Sequence, residues 1–127
     1  MVFKEKEFKS FIEMQVRIRL GKIPKDSICV KHSVGTDDIS KGRYQSWTDY
    51  WNENSKGMPL IPDDSVCPCC KRRISKSASN YFVVAHIEDI HTHRMYLHPV
   101  CNDCNTKMKK WLFFAKRDRL LDAPTDL

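Results

Sequence analysis

A chain of 127 residues with 41% hydrophobic and 10% aromatic side chains has the length of one domain and enough apolar material for a small core. No run approaches the ~20 apolar residues of a membrane span, and the charged start Met1-Val-Phe-Lys-Glu-Lys-Glu lacks the apolar stretch of a secretion signal, so a cytoplasmic location is expected. The net charge is +6 and uneven: from Lys71 to Arg119, eleven Lys and Arg stand against the four acids Glu88, Asp89, Asp103 and Asp118, leaving +7 in that stretch alone. A basic field of this kind favours an anionic partner, with nucleic acid the commonest; a solvated surface serving solubility is the alternative.

Residues 1–42 are expected to form an N-terminal extension of unassigned role, and 43–127 the main module. Within the first part, Phe3, Phe8, Phe11 and Ile12 fall at helical steps among Lys and Glu, which predicts a short amphipathic helix over 3–13. Met14-Gln-Val-Arg-Ile-Arg-Leu20 alternates strictly, as a half-buried strand does, or continues the helix. Gly21 and Pro24 interrupt it. Ser27-Ile-Cys-Val30 reads as a short strand with Cys29 as a small buried residue, and Gly35–Asp38 as a loop.

Residues 43–55 place Tyr44, Trp47, Tyr50 and Trp51 at three- and four-residue steps, one aromatic face of a helix. Such a face could stack nucleobases, but at helical spacing it is expected to be core, packed against the cysteine-bearing part of the module that follows. Gly57, Pro59 and Pro62 make a linker.

The region 67–105 then organises the rest. Cys67-Pro-Cys-Cys70 and Cys101-Asn-Asp-Cys104 supply two Cys-x-x-Cys pairs, and two facing knuckles complete a four-thiolate cage for Zn²⁺ from Cys67, Cys70, Cys101 and Cys104. Cys69 lies inside the first turn and is expected to point away. Disulfides are the alternative for six cysteines, but paired x-x spacing suits a metal better. Between the pairs, Lys71 to Asn80 read as a polar loop and Tyr81–Ile87 as a strand. Glu88–His93 read as a turn and Arg94–His98 as a return strand ended by Pro99. Asn105 to Arg117 is predicted to be helical with Met108, Trp111, Leu112 and Ala115 inward. The tail 122–127 is expected to fray. The fold class expected is α+β, a hairpin followed by a helix.

A first Cys pair, a strand carrying Ala85-His86-Ile87, a return strand, then Cys-Asn-Asp-Cys-Asn and a Lys-bearing helix, over about residues 65–115, resembles the zinc-containing HNH (His-Me finger) endonucleases. That resemblance implies a ββα-metal unit with the four cysteines on a structural zinc. It implies His86 as general base activating water, and Asn105 helping to hold a catalytic divalent cation such as Mg²⁺. Two positions depart from the pattern. Ala85 stands where many members carry a ligand Asp, and the Asn usual shortly before the third Cys has no match in Tyr96–Val100; His98, Asp89, His91 or His93 would have to complete the cation site. Phosphodiester hydrolysis needs such a base and such a cation, while Lys107, Lys109 and Lys110 could hold flanking phosphates. Two readings result: an HNH-type endonuclease hydrolysing DNA, or a non-catalytic zinc-binding module on the same scaffold that binds nucleic acid or a protein partner. A thiol redox protein is disfavoured, because no thioredoxin-like βαβ pattern flanks the cysteines.

Overall fold

The computed structural model describes residues 2–75, 79–125 and 127. They form an α+β fold of three α-helices and one antiparallel five-stranded sheet.

The chain opens with α1, Glu5–Arg19, started by Glu7, whose carboxylate accepts a hydrogen bond from the Lys4 backbone N–H at 2.9 Å. Its end coincides with Gly21, which holds the left-handed φ of +67° that a side chain resists. The alternation over 14–20 therefore resolves as helix. Met14 and Ile18, four apart, turn to the core with Phe11, while Val16 and Leu20 share the outer face.

Next comes β1, Ser27–His32, with Cys29 and Val30 fully buried, followed by α2, Trp47–Asn54, whose N-terminus is capped by Ser46 Oγ accepting from the Asp49 N–H at 3.0 Å. The hairpin β2, Phe82–Asp89, and β3, Met95–Cys101, is continuous from Phe82↔Cys101 to Glu88↔Met95. It ends in α3, Asn102–Lys107. The chain closes through β4, Phe113–Lys116, and β5, Leu121–Asp122, giving the sheet order β4-β1-β2-β3-β5. Strand β1 thus lies between β2 and β4, pairing Val30 with both Asp89 and Phe113.

Two layers cover this sheet. On one face α1 and the knuckles enclose Phe11, Met14, Ile87, Val100 and Phe113; on the other α2 seats Trp51 against Val84 and Leu97.

Several expectations are corrected. The helix predicted over 105–117 stops at Lys107, and Phe113–Lys116 instead pairs with β1 from Ser27↔Lys116 to Val30↔Phe113. Helical propensity there is a weak preference, overridden by burying Phe113 and Ala115 completely beside β1. Of the helix's predicted inner stripe, Met108 and Ala115 are buried, whereas Trp111 and Leu112 are half-buried.

The return strand does not end at Pro99 but runs to Cys101. The Val84 N–H opposite Pro99 bonds outward to Thr48 Oγ1 at 3.2 Å, so the pair is a non-hydrogen-bonded one. The N–H that proline lacks would therefore have pointed away from β2, and no ladder bond is lost.

The tail is also more ordered than expected. β5 pairs with β3, and the Leu127 carbonyl accepts from Ser40 Oγ at 3.0 Å. Tyr44 lies before α2 rather than within it. Of the polar loop expected over 71–80, residues 76–78 lie outside the described residues.

Candidate metal centre

Cys67 and Cys70 lie at the two ends of a tight turn in which the Lys71 N–H donates to the Cys67 carbonyl at 2.8 Å and the Cys67 N–H to the Arg72 carbonyl at 2.9 Å. Lys71 follows that turn with a left-handed φ of +66°, a position where glycine is the unstrained residue. The second pair is placed by the junction of β3 with α3: Cys101 caps the helix and Cys104 sits in its first turn. All four sulfurs are fully buried and lie within 4.8 Å of one another.

The fit to Zn²⁺ can be tested on lengths. A tetrahedral ion with Zn–S bonds of about 2.3 Å has S···S edges of about 3.8 Å. Cys67 Sγ to Cys104 Sγ and Cys70 Sγ to Cys101 Sγ are both 3.8 Å. Disulfides, at about 2.05 Å, are excluded for these pairs, and all six cysteines are free thiols. The sulfurs share protons tightly: hydrogen bonds from Cys104 above all hold the Cys101 thiol far below its ordinary pKa, and Cys104 is correspondingly held protonated. A bound cation would remove the remaining protons.

One residue that sequence reading placed in a polar loop belongs to this centre. Arg72 is only 8% exposed. Its Nε donates to Cys70 Sγ at 3.3 Å, and Nη2 reaches Cys101 Sγ at 3.7 Å and Asp103 Oδ2 at 3.2 Å. Burial opposes its charge, but the hydrogen bond to Cys70 and the charge on the cysteines outweigh it, and its pKa rises above the ordinary arginine value. Four thiolates on Zn²⁺ carry two net negative charges, and Arg72 offsets one of them from inside the protein. The Cys101 N–H adds a donor to Cys67 Sγ at 3.3 Å. The sequence signal was a pair of arginines directly after the first knuckle, of which Arg73 turns out to solvent. Arg72→Met, which keeps the aliphatic stem and removes the fork, is expected to weaken zinc about 10–100-fold. Competition against a chromophoric chelator measures this, and unchanged affinity would show that Arg72 only fills space.

Cys69 is not one of the four converging sulfurs: its Sγ lies 3.7 Å from His32 Nε2, with both residues buried, and it also contacts the Cys104 side chain. Cys29 is likewise apart, and burial pushes its thiol up to about 11.

The other candidate residues do not converge. Cross-strand partners share a face, so the pairs His86↔Leu97 and Ala85↔His98 put the two histidines on opposite faces of the hairpin. His86 lies under α2, its ring edge-on to Trp47 at 4.8 Å between centroids; it is 6% exposed and its Nε2 is buried without a hydrogen-bond partner. Burial alone lowers its pKa.

His98 lies on the α1 side against Phe113, its Nδ1 donating to the Pro99 carbonyl at 2.8 Å. Burial pushes it down to about 4, so the ring is neutral and Nε2 keeps its lone pair. It lines a cavity of about 630 Å³ with Lys71, Arg119 and Phe114.

Asp89 caps the hairpin turn, accepting from the His91 and Thr92 N–H groups at 2.8 and 3.4 Å. His93 is exposed and 3.0 Å from Glu88. Asn105 is half-buried on α3, one residue after Cys104. Among the described residues, the four cysteines are the one group of Cys, His, Asp and Glu that converges as metal ligands do. Lys109 and Lys110 are exposed, and Lys107 is exposed with its Nζ 3.7 Å from Asp103. Among the described residues no helix is long and apolar enough to cross a membrane. Comparison of the chain with protein-family models, with curated proteins and with solved structures finds no match.

Proposed function

We propose that this protein is a non-catalytic nucleic-acid-binding module, a ββα scaffold of HNH type stapled by one structural zinc. The observation that carries the reading is the separation of the residues a nuclease would need. The His86 imidazole is sealed beneath Trp47, while His98 and the cap made by Asp89 belong to the other side of the hairpin. A base and a cation that act on one phosphate must share one cleft. What remains of the scaffold is a knuckle presenting Lys107, Lys109 and Lys110 at its exit, in a stretch that accounts for the whole of the chain's net positive charge.

Binding of this kind is dominated by counterion release, with a slope of log affinity against log salt of about 0.9 per phosphate contacted. Lys107→Ala, Lys109→Ala and Lys110→Ala together are expected to reduce the slope for duplex DNA by roughly 2–3, measured by fluorescence anisotropy from 50 to 200 mM salt. No salt-dependent binding by the wild type would end the nucleic-acid reading.

The endonuclease reading is favoured by one feature, the His86 Nε2 without a partner, since a general base needs a free lone pair. It requires Trp47 to move aside and Asn105 to hold a divalent cation. Nicking of supercoiled DNA with Mg²⁺ or Mn²⁺ that is lost in His86→Ala, with zinc content and DNA affinity unchanged, would establish it in place of the binding module.

A further inference from the structure

Helix α1 has two apolar faces, and the fold buries only one; on the other, Phe8 meets the Phe3 ring at 5.7 Å. Phe11, Met14 and Ile18 pack on the core. A second row, Phe8, Ile12, Val16 and Leu20, repeats every four residues and stands 53%, 42%, 49% and 62% exposed. Four-residue spacing builds a continuous ridge along a helix, and a contiguous exposed apolar strip on a small protein marks an interaction surface. Seen along the helix axis, Glu5 and Arg19 also lie on this strip, at opposite ends of α1.

We propose that this ridge is a homodimer interface, in which α1 packs antiparallel against α1 of a second copy about a two-fold axis at Ile12. The charges choose both direction and register. In that arrangement Ile12 meets its own counterpart, and Phe8 lies beside Val16 of the second copy. Glu5 stands opposite Arg19 of the second copy, and by symmetry the pair occurs twice. A parallel pairing sets Arg19 against Arg19. An antiparallel pairing shifted by one helical turn sets Lys9 against Arg19 in one direction and Glu5 against Gln15 in the other. None of these opposes unlike charges, whereas the register at Ile12 does.

The ridge is limited in size. A helix of 15 residues is about 22 Å long, which confines the contact to the low end of specific interfaces, so the association is weak and concentration-dependent. Chemistry elsewhere in the protein does not enter this inference, and it stands apart from the nucleic-acid reading.

Sedimentation velocity of the zinc-loaded full chain from about 1 to 500 μM tests it, without nucleic acid. The expected result is a reversible rise from monomer to dimer mass in the micromolar range or above. Ile12→Glu places two carboxylates at the two-fold axis and is expected to leave monomer at every concentration. Because Ile12 is exposed, circular dichroism should be unchanged. Glu5→Lys and Arg19→Glu should each weaken the dimer roughly fivefold, and the two together should restore it, which loss of folding or of general hydrophobicity would not reproduce. Monomer mass throughout, dimerisation indifferent to Ile12→Glu, or failure of the charge exchange to restore it would each overturn the proposal. Binding of the ridge to anionic lipid vesicles with no self-association would also overturn it.

Discussion

Cys101→Ser is expected to leave the protein unable to reach its folded state at neutral pH. Structural zinc sites contribute on the order of 10 kcal/mol or more, which meets or exceeds the whole net stability of most domains. Cys101 is also the hinge of three local features: it ends β3, caps α3, and places its sulfur 3.8 Å from that of Cys70. Stripping zinc with a strong chelator should have the same effect on wild type, seen as loss of near-ultraviolet circular dichroism and regained on adding Zn²⁺. Cys69→Ser is the control. It is as buried as the ligands but faces His32, so zinc stoichiometry should stay at one per chain. A protein that keeps its fold and its Tm without metal would remove the zinc reading altogether.

Trp51→Ala is expected to cost about 3–5 kcal/mol, the usual range for truncating a buried aromatic. Trp51 is fully buried between Val84 and Leu97, and its indole N–H donates to the Met58 carbonyl at 3.1 Å. Trp51→Phe keeps most of the packing and deletes the hydrogen bond, and should cost nearer 1–2 kcal/mol. Urea unfolding at saturating zinc measures both. The same variants separate the two uses of an aromatic face. If the ring stacks bases, Trp51→Ala leaves urea stability intact and weakens binding to single-stranded DNA; if it is core, the reverse holds. Trp47 is the more exposed neighbour and covers His86.

What could be read from the residues was coded by short spacing. Two Cys-x-x-Cys turns, a β-branched run and an aromatic helical face each signal their geometry within ten residues, and the knuckles, the β2–β3 hairpin and α2 were legible for that reason. Phe113–Lys116 was not. Four residues of mixed propensity become a strand only because β1, far away in sequence, offers an edge, and nothing local encodes that partner. The alternation in 14–20 stayed open between strand and helix for a related reason: it satisfies the strand period, yet α1 turns Met14 and Ile18 to one face and Val16 and Leu20 to another. Arg72 escaped because a buried cation looks like a loop residue until the thiolates that balance it are placed beside it.

The position of β1 carries a consequence for the rate at which the protein forms. Its pairs with β4 join residues as far apart as Ser27 and Lys116, and closing so long a stretch of chain is entropically slow. The knuckles, by contrast, tie Cys67–Cys70 to Cys101–Cys104 through a self-contained hairpin. Metal capture can therefore run ahead. A zinc-clamped hairpin shortens the effective distance that β1 and β4 must search, and insertion of β1 between its two neighbours becomes the last committed step of assembly. In refolding followed by stopped flow, zinc binding should be complete before the protection of the Val30 amide against hydrogen exchange develops.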